Sequence, residues 1–341
     1  MATYYQTESS ETLHTNQFAH LVESECRVAL GKFRSILTSY ALFHLTFALL
    51  AVTQLALVIG LLLTTPTSSI FAISTASLLL TICSHLIITY YFQGKKPIQF
   101  RELETNFYHA CVRSIPVDIP EDDYHLSLAH SMFQLATYIG QKQVYSLSFK
   151  PFTFLEGIFI VIGYHLHFKD LLIMQELLMH RSIEEHVELI KKNPIDLAVH
   201  TSLANAFTAL AKIYQKPTTL PFDETALVDK RFDKESIKEK FKVATNRAIE
   251  ELKILDDLAP NDPWVHAQLA SCYHHLNLFE EETREYEILI NIRPHDKEIL
   301  YRLGILYFRL GKNAKGLTIY RSLMDIDAKD AAHLISHYNA F

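Results

Sequence analysis

The long interval without Asp, Glu, Lys or Arg, between Arg34 and Lys95, constrains the fold more than any other feature of the sequence. Two apolar runs, over about 36–63 and 70–92, lie within it on either side of the sequence TTPTSS. A helix needs roughly 20 apolar residues to cross the ~30 Å hydrocarbon core of a bilayer, and both runs reach that length. Backbone groups inside lipid must be paired within their own segment, which favours helices. The sequence therefore predicts a hairpin of two transmembrane helices that reverses near Pro66.

The charges beside this hairpin predict its orientation. Basic residues flank both ends and none lies in the turn: Arg27, Lys32 and Arg34 precede it, and Lys95, Lys96 and Arg101 follow it. Because basic residues favour the cytoplasmic side, both termini are expected there, in a multi-pass integral membrane protein. Inside the spans the ionisable groups are two histidines, which favours anchoring over transport. The alternative is a hairpin buried in the core of a soluble protein.

The rest of the chain has the composition of a soluble, all-α protein. Its formal net charge of −6 argues against nucleic-acid binding. The four cysteines are too far apart for a zinc or redox motif. Nine glycines in 341 residues, with few strand-like alternations, favour helices. Residues 1–35 are expected to form an N-terminal cytoplasmic segment and residues 93–181 a helical connecting region, in which the apolar run 157–163 is too short to span a membrane.

An internal repeat occupies the C-terminal part. Residues 263–296 align without gaps with residues 297–330. The common length of these two segments is called here one repeat period. Paired positions carry similar residues: Leu269 and Leu303, Ala270 and Gly304, Tyr273 and Tyr307, Leu276 and Leu310, Tyr286 and Tyr320, Leu289 and Leu323, Ile292 and Ile326. Small residues let helix backbones approach, and large ones at helical spacing form the contact between two antiparallel helices. Asn277 and Gly311 are expected at the turns.

The repeat resembles the tetratricopeptide repeat (TPR) family, in which the period is about 34 residues, as it is here. The family pattern is met by Leu269, Ala270, Tyr273, Tyr286 and Pro294. It is broken where Glu282 occupies a small-residue position and Ala328 replaces a proline. The resemblance implies a C-terminal TPR α-solenoid.

The whole array is expected over 182–341. An upstream unit pairs a first helix over 197–213 with a second over 245–260, separated by an insertion at about 214–240. Residues 331–341 are expected to form a terminal capping helix, because an uncovered end repeat would expose an apolar face.

The resemblance further implies that a peptide or partner helix binds the concave face, which the first helices line. The candidate binding residues there are Asn205, Trp264, His274, Tyr301, Arg302, Phe308 and Arg309. The three aromatic residues offer contact area at low entropy cost. The alternative is that they fill gaps between adjacent repeats.

Charge on the same face bears on the kind of partner. Some members of the family hold the C-terminal carboxylate of chaperones, but Thr201 and Glu298 stand where lysines are expected. Chaperone tails are therefore disfavoured. Arg302 and Arg309 still favour an acidic segment.

Nothing in the sequence indicates catalysis. It contains no glycine-rich phosphate loop, nucleophile elbow or paired-carboxylate motif. The histidine pairs 165 and 167, and 274 and 275, lack further ligands at metal-site spacing. The sequence therefore predicts that the protein is not an enzyme and that it binds neither a cofactor nor a metal ion.

The leading hypothesis is a membrane-anchored TPR scaffold that binds a protein partner at the membrane face, contacts lipid through the hairpin and forms homo- or hetero-oligomers. Two alternatives are a structural subunit of a secretion or envelope assembly, and a bacterial effector inserted in a host-derived membrane. The second alternative follows from an architectural resemblance of the hairpin to chlamydial inclusion membrane proteins.

Overall fold

The computed structural model describes residues 2–116, 119–140, 156–215 and 234–338, and the side chains of 18–116, 119–140, 168–215 and 235–338. These ranges contain eleven α-helices and no strand, which confirms the all-α prediction. The chain divides into two compact units, Met1–Glu185 and His186–Phe341. The side chains of the run 157–163, with those of His165 and His167, and most of the predicted insertion, residues 216–233, lie outside the described parts.

The first unit begins with two long helices, α1 (Ala2–Thr64) and α2 (Ser69–Ser114). A turn joins them, and the Ser68 hydroxyl accepts a hydrogen bond from the Phe71 N–H, which caps α2. Over Phe18–Thr64 and Ser69–Ser114 the helices have stretches of mean hydropathy 2.4 and 2.0 in which no residue is buried. By length and composition, both could cross a membrane.

Polar contacts join the two apolar segments at matched heights. His44 Nδ1 lies 3.0 Å from His85 Nε2, and Gln54 Nε2 donates to Ser77 Oγ over 3.2 Å. The rings of Phe43 and His85 stack at 5.7 Å. These contacts fix the register of α1 against α2.

Beyond the apolar segments, α1 and α2 continue without interruption into a packed bundle. They are joined there by α3 (Glu121–Ile139) and by α4 (Glu156–Lys192), whose last residues belong to the second unit. The core side chains come from all four helices and include Phe33, Phe100, Leu103, Leu128, Met132, Leu135, Leu172 and Leu178. Helix α4 is bonded to α3, since Ser182 Oγ donates to the Ala129 carbonyl over 2.8 Å. The segment before the hairpin and the region after it therefore share one core.

Buried charges also join these helices. The Glu185 carboxylate, 5% exposed, accepts a hydrogen bond from the Tyr108 hydroxyl at 3.0 Å and lies 2.7 Å from His125 Nδ1. The Arg181 guanidinium lies 4.1 Å above the Tyr108 ring. Near the end of the second apolar segment, Lys96 Nζ contacts Asp170 at 2.7 Å.

The second unit is a series of helix pairs. Its helices are α5 (Leu197–Gln215), α6 (Lys234–Leu258), α7 (Pro263–His275), α8 (Phe279–Ile292), α9 (Lys297–Arg309), α10 (Asn313–Met324) and α11 (Ala328–Ile335). Asp262 and Asp296, one repeat period apart, cap α7 and α9 by accepting backbone N–H groups. The repeated caps confirm the period read from the sequence.

The turns within the last two pairs are also equivalent. Asn277 and Gly311 have φ angles of 59° and 69°, in the left-handed region. The N–H of the residue after each donates to a carbonyl five residues earlier: Leu278 to Tyr273 and Lys312 to Tyr307. This is the Schellman arrangement, and the predicted turn positions are confirmed.

Helix α11 covers the end of the array. Ala331 and Leu334 are fully buried in a core that also contains Leu300, Phe308 and Leu323. A Cβ at Gly304 would lie 2.6 Å from the Leu334 side chain, so α9 and α11 approach as closely as a glycine allows.

Candidate protein-binding face of the repeats

The exposed side of the first helices α5, α7 and α9 is called here the first-helix face. Its predicted residues differ in exposure. Asn205, His274, Arg302 and Arg309 are exposed, Trp264 and Tyr301 are half-buried, and Phe308 is buried.

Phe308 is 4% exposed and lies inside the terminal core. Gly316 leaves the space that its ring occupies, because a Cβ there would clash with the ring. The centroid of the Tyr338 ring lies 5.5 Å from that of Phe308 in an edge-to-face arrangement. Phe308 therefore fills the gap between neighbouring helices, as the alternative interpretation has it, and offers no surface to a partner.

The other two aromatic residues are partly engaged. The Tyr301 hydroxyl lies 2.7 Å from His333 Nδ1 on α11, and Trp264 packs on the core cluster formed by α5, α6 and α7. Each still has one accessible side. A partner could therefore contact only part of each of these two side chains.

A buried carboxylate lies between α7 and α9. Glu282 on α8 is 3% exposed, and both of its oxygens lie 3.1 Å from His274 Nδ1. Burial raises the pKa of Glu282, although His274, Arg302 and Arg309 oppose that rise. Charged groups of three helices thus converge where the family pattern has a small residue. The departure at this position was the sequence signal for the cluster, but Glu282 was not among the predicted site residues.

The two arginines present their guanidinium groups in different ways. Arg309 lies 3.8 Å above the Phe279 ring, a cation–π arrangement that orients its planar group. Arg302 makes no hydrogen bond or ion pair with any residue in the described ranges. Its donors are available to a ligand, and a guanidinium matches a carboxylate or phosphate in planar, bidentate geometry.

Solved structures match the chain, whereas no family model and no curated protein does. MamA is 14% identical, over 71% of this chain and 98% of its own, with a TM-score of 0.34. TTC0263 of Thermus thermophilus, a thermophilic TPR protein, is 15% identical over 74% and 95%, with a TM-score of 0.33. The TPR2AB domain of yeast Sti1, in complex with a peptide of HSP90, is 15% identical over 73% and 93%, with a TM-score of 0.25.

The chain resembles TPR proteins. The helix pairs of the second unit have the architecture that the repeat period predicted. The matched structures have low identities and low TM-scores, so nothing beyond this fold is carried over from them.

A crevice of about 10 Å³, room for roughly one water molecule, lies between α5, α6 and α7 and is lined by Thr208, Lys212, Phe241, Cys272 and His275. The Cys272 side chain is 4% exposed, and burial raises the pKa of its thiol to about 11. A thiol with so high a pKa is a poor nucleophile at neutral pH. Among the described residues, no group of three or more His, Cys, Asp or Glu side chains is placed to hold a metal ion.

Proposed function

We propose that this protein is a membrane-anchored scaffold whose first-helix face binds an acidic segment of a protein partner. The observation that carries the proposal is the unpaired Arg302 guanidinium beside the oriented Arg309. Two cationic, planar donor groups on one helix favour a ligand with carboxylates or phosphates.

Membrane anchoring is supported by the exposed apolar surface of α1 and α2. Leu49, Ile73 and Leu80 are 66–69% exposed, within continuous apolar stretches. Each such side chain left in water forgoes roughly 1.5–3 kcal/mol of burial free energy. An exposed apolar surface of this extent marks a membrane or protein contact. Of these two kinds of contact, the absence of charged residues over 35–94 favours contact with lipid.

The end of the apolar segments supports the same interpretation. Lys96 Nζ lies 4.6 Å above the Tyr40 ring, and Lys95 Nζ lies 5.8 Å above the Tyr91 ring. Aromatic rings and basic groups concentrate at membrane–water interfaces. Both lysines lie on the side that the basic-residue rule assigns to the cytoplasm, together with both chain termini.

Topology is tested with a short tag after Phe341 in native membranes. Carbonate extraction should leave the protein in the pellet, and added protease should reach the tag only from the cytoplasmic side. Release of the intact protein by carbonate would refute anchoring. Access from the opposite side would keep anchoring and reverse the orientation.

Partner chemistry is tested with the full chain in lipid nanodiscs and fluorescent peptides of equal length, one rich in Asp and Glu and one with Asn and Gln in their place. We expect the acidic peptide to bind, and the Arg302→Glu, Arg309→Glu variant to lose about tenfold or more in affinity, which is ~1.4 kcal/mol. Arg321→Glu is the matched control, because Arg321 is exposed on the second helix α10. Equal binding of the two peptides, or an equal loss in the control, would contradict the proposal.

For the alternative of a subunit in a larger membrane assembly, α2 carries a face of small hydroxyl residues that would suit packing against other membrane helices. Ser74, Thr81 and Ser84 are half-buried, and Ser77 receives the hydrogen bond from Gln54 of α1. This face thus has a partner within the hairpin. The assembly and effector hypotheses remain predictions without a specific contact in their favour.

A further inference from the structure

Two buried histidines occupy equivalent places in successive helix pairs. His200 on α5 is 3% exposed and His266 on α7 is 1% exposed. The interval between them equals the interval between Pro194 and Pro260, each of which precedes its histidine by six positions. The match extends across the insertion that separates α5 from α6.

Each imidazole ring lies between two oxygen atoms. His266 Nδ1 is 2.8 Å from Glu285 Oε2, and His266 Nε2 is 3.0 Å from the Pro260 carbonyl oxygen. His200 Nδ1 is 2.7 Å from Glu251 Oε2, and His200 Nε2 is 3.2 Å from the Pro194 carbonyl oxygen. Each ring therefore links its first helix to the following second helix and to the preceding linker.

The chemistry of the ring decides its protonation in such a place. A neutral imidazole has one N–H donor and one acceptor nitrogen, whereas an imidazolium has two donors. With an acceptor oxygen at both nitrogens, the neutral ring would leave one lone pair facing another, deep inside the protein. Both hydrogen bonds form together only when the ring carries the additional proton.

The charges around His266 agree with this geometry. They are Glu285 on α8, Asp256 on α6, whose Oδ1 lies 3.5 Å from His266 Nε2, and Lys253 near Glu285. Burial lowers the pKa of His266, but the bonds to Glu285 and the Pro260 carbonyl, with the charge of Asp256, outweigh it and raise the pKa. Burial raises the pKa of Glu285 while His266 opposes it. Between these two pKa values, both partners are charged.

In the next repeat, the positions equivalent to His266 and Glu285 are occupied by apolar residues. Leu300 stands one repeat period after His266, and Ile319 stands one repeat period after Glu285. Leu300 is 1% exposed, and Ile319 packs against the same core cluster. The fold does not require a histidine at this place, and the chain itself supplies an apolar counterpart.

We propose that His266 is a proton-binding site that makes the coupling between its neighbouring helix pairs depend on pH. With the proton bound, the ring holds the Pro260 carbonyl and the Glu285 carboxylate at once. Without the proton, one of the two contacts becomes repulsive and the first turn of α7 loosens. Neither membrane anchoring nor partner binding is needed for this effect.

The sign of the effect follows from the raised pKa of His266. Its stabilisation is complete below the pKa of an unfolded histidine, and it is lost as pH rises through the higher folded-state pKa. His266 therefore stabilises its helix junction on the acidic side of neutrality. Helix α9, with Leu300, should show no such dependence.

Hydrogen exchange with mass spectrometry on the full chain in detergent micelles tests this, between about pH 6 and 9. Rates are corrected for the intrinsic effect of pH. We expect the protection of α7 to fall as pH rises, by about tenfold for each unit by which the folded-state pKa of His266 exceeds the unfolded one, with α9 unchanged. The His266→Leu, Glu285→Ile variant copies the next repeat, so the protection of α7 should become as insensitive to pH as that of α9. Equal pH responses of α7 and α9 in the wild-type protein would overturn the proposal.

A second readout reports the protonation of the ring itself. Ring nitrogen NMR of the wild-type chain, with the His266 signal assigned by its loss in the variant, should show both nitrogens protonated near pH 7. A His266 ring with one bare nitrogen at that pH would also overturn the proposal.

Discussion

Glu282 and Phe308 are both buried between helices of the repeats, one as a carboxylate and the other as an apolar ring. Both lie at positions that the repeat assigns to particular places on a helix. Helical periodicity indicates which side of a helix a residue faces, but not what covers that side. Phe308 is covered by Tyr338 and by residues of α11, which pack there only in the folded chain. The break in the family pattern at Glu282 was visible, whereas its burial under His274 was not.

Replacing Phe308 tests its place in the core. Phe308→Ala should lower the free energy of unfolding by about 3–5 kcal/mol, because it removes a buried aromatic ring and leaves a cavity. Arg302→Ala, at an exposed position of the same helix, should change it by less than about 0.5 kcal/mol. Denaturant unfolding of both variants in detergent measures the difference. A small loss for Phe308→Ala would mean that the ring is on the surface.

Glu282→Gln isolates the cost of a buried charge. Because burial raises its folded-state pKa, the protonated carboxyl favours folding, and ionisation above that pKa costs stability. Glutamine resembles the protonated form in shape. The variant should melt at a higher temperature than the wild type near neutral pH, and the difference should vanish below the pKa of an unfolded glutamate. Glu298→Gln, at an exposed site of α9, is the control and should have little effect. A lower melting temperature for Glu282→Gln would show that its ion pair outweighs the burial.

Among the helices, the most predictable features were those that depend on neighbours in the sequence. The turns at Asn277 and Gly311 were expected from residue type and period, and both have the left-handed backbone that such residues tolerate. The charge-free interval likewise indicated both long apolar helices. Pairings between distant segments, such as Tyr108 with Glu185 in the first unit, have no periodic signature. The same holds for the packing of residues 18–40 against α3.

The turn at Gly311 gives a prediction for one structural element. Gly311→Ala should lower stability by about 1 kcal/mol, because a Cβ disfavours the left-handed conformation. Gly311→Asn should cost less, since asparagine adopts this conformation at the equivalent position 277. Thermal unfolding of the two variants gives the order. If alanine were tolerated as well as asparagine, the turn would have to form with a different backbone.

At the scale of the whole molecule, the two compact units should respond separately to core substitutions. Glu185→Ala leaves the Tyr108 hydroxyl and His125 without their shared carboxylate. Breaking a buried polar cluster in this way costs about 3–5 kcal/mol. Hydrogen exchange should accelerate in α2 and α3, and protection of α9 and α10 should be unchanged. Phe308→Ala should do the reverse, because distant sites without common partners are additive. Equal loosening of both units by either variant would mean that they unfold together.

The uninterrupted passage of α1 and α2 from apolar segment to bundle has a mechanical consequence. From Tyr40 back to Val22, both buried in that bundle, α1 rises about 27 Å at 1.5 Å per residue. A flexible linker of that length would let the domain attached to it take many positions above the bilayer. A packed four-helix bundle does not allow this movement. If the hairpin lies in a membrane as proposed, the far end of the bundle is held at a set height above the lipid, and its stand-off distance is a property of the fold.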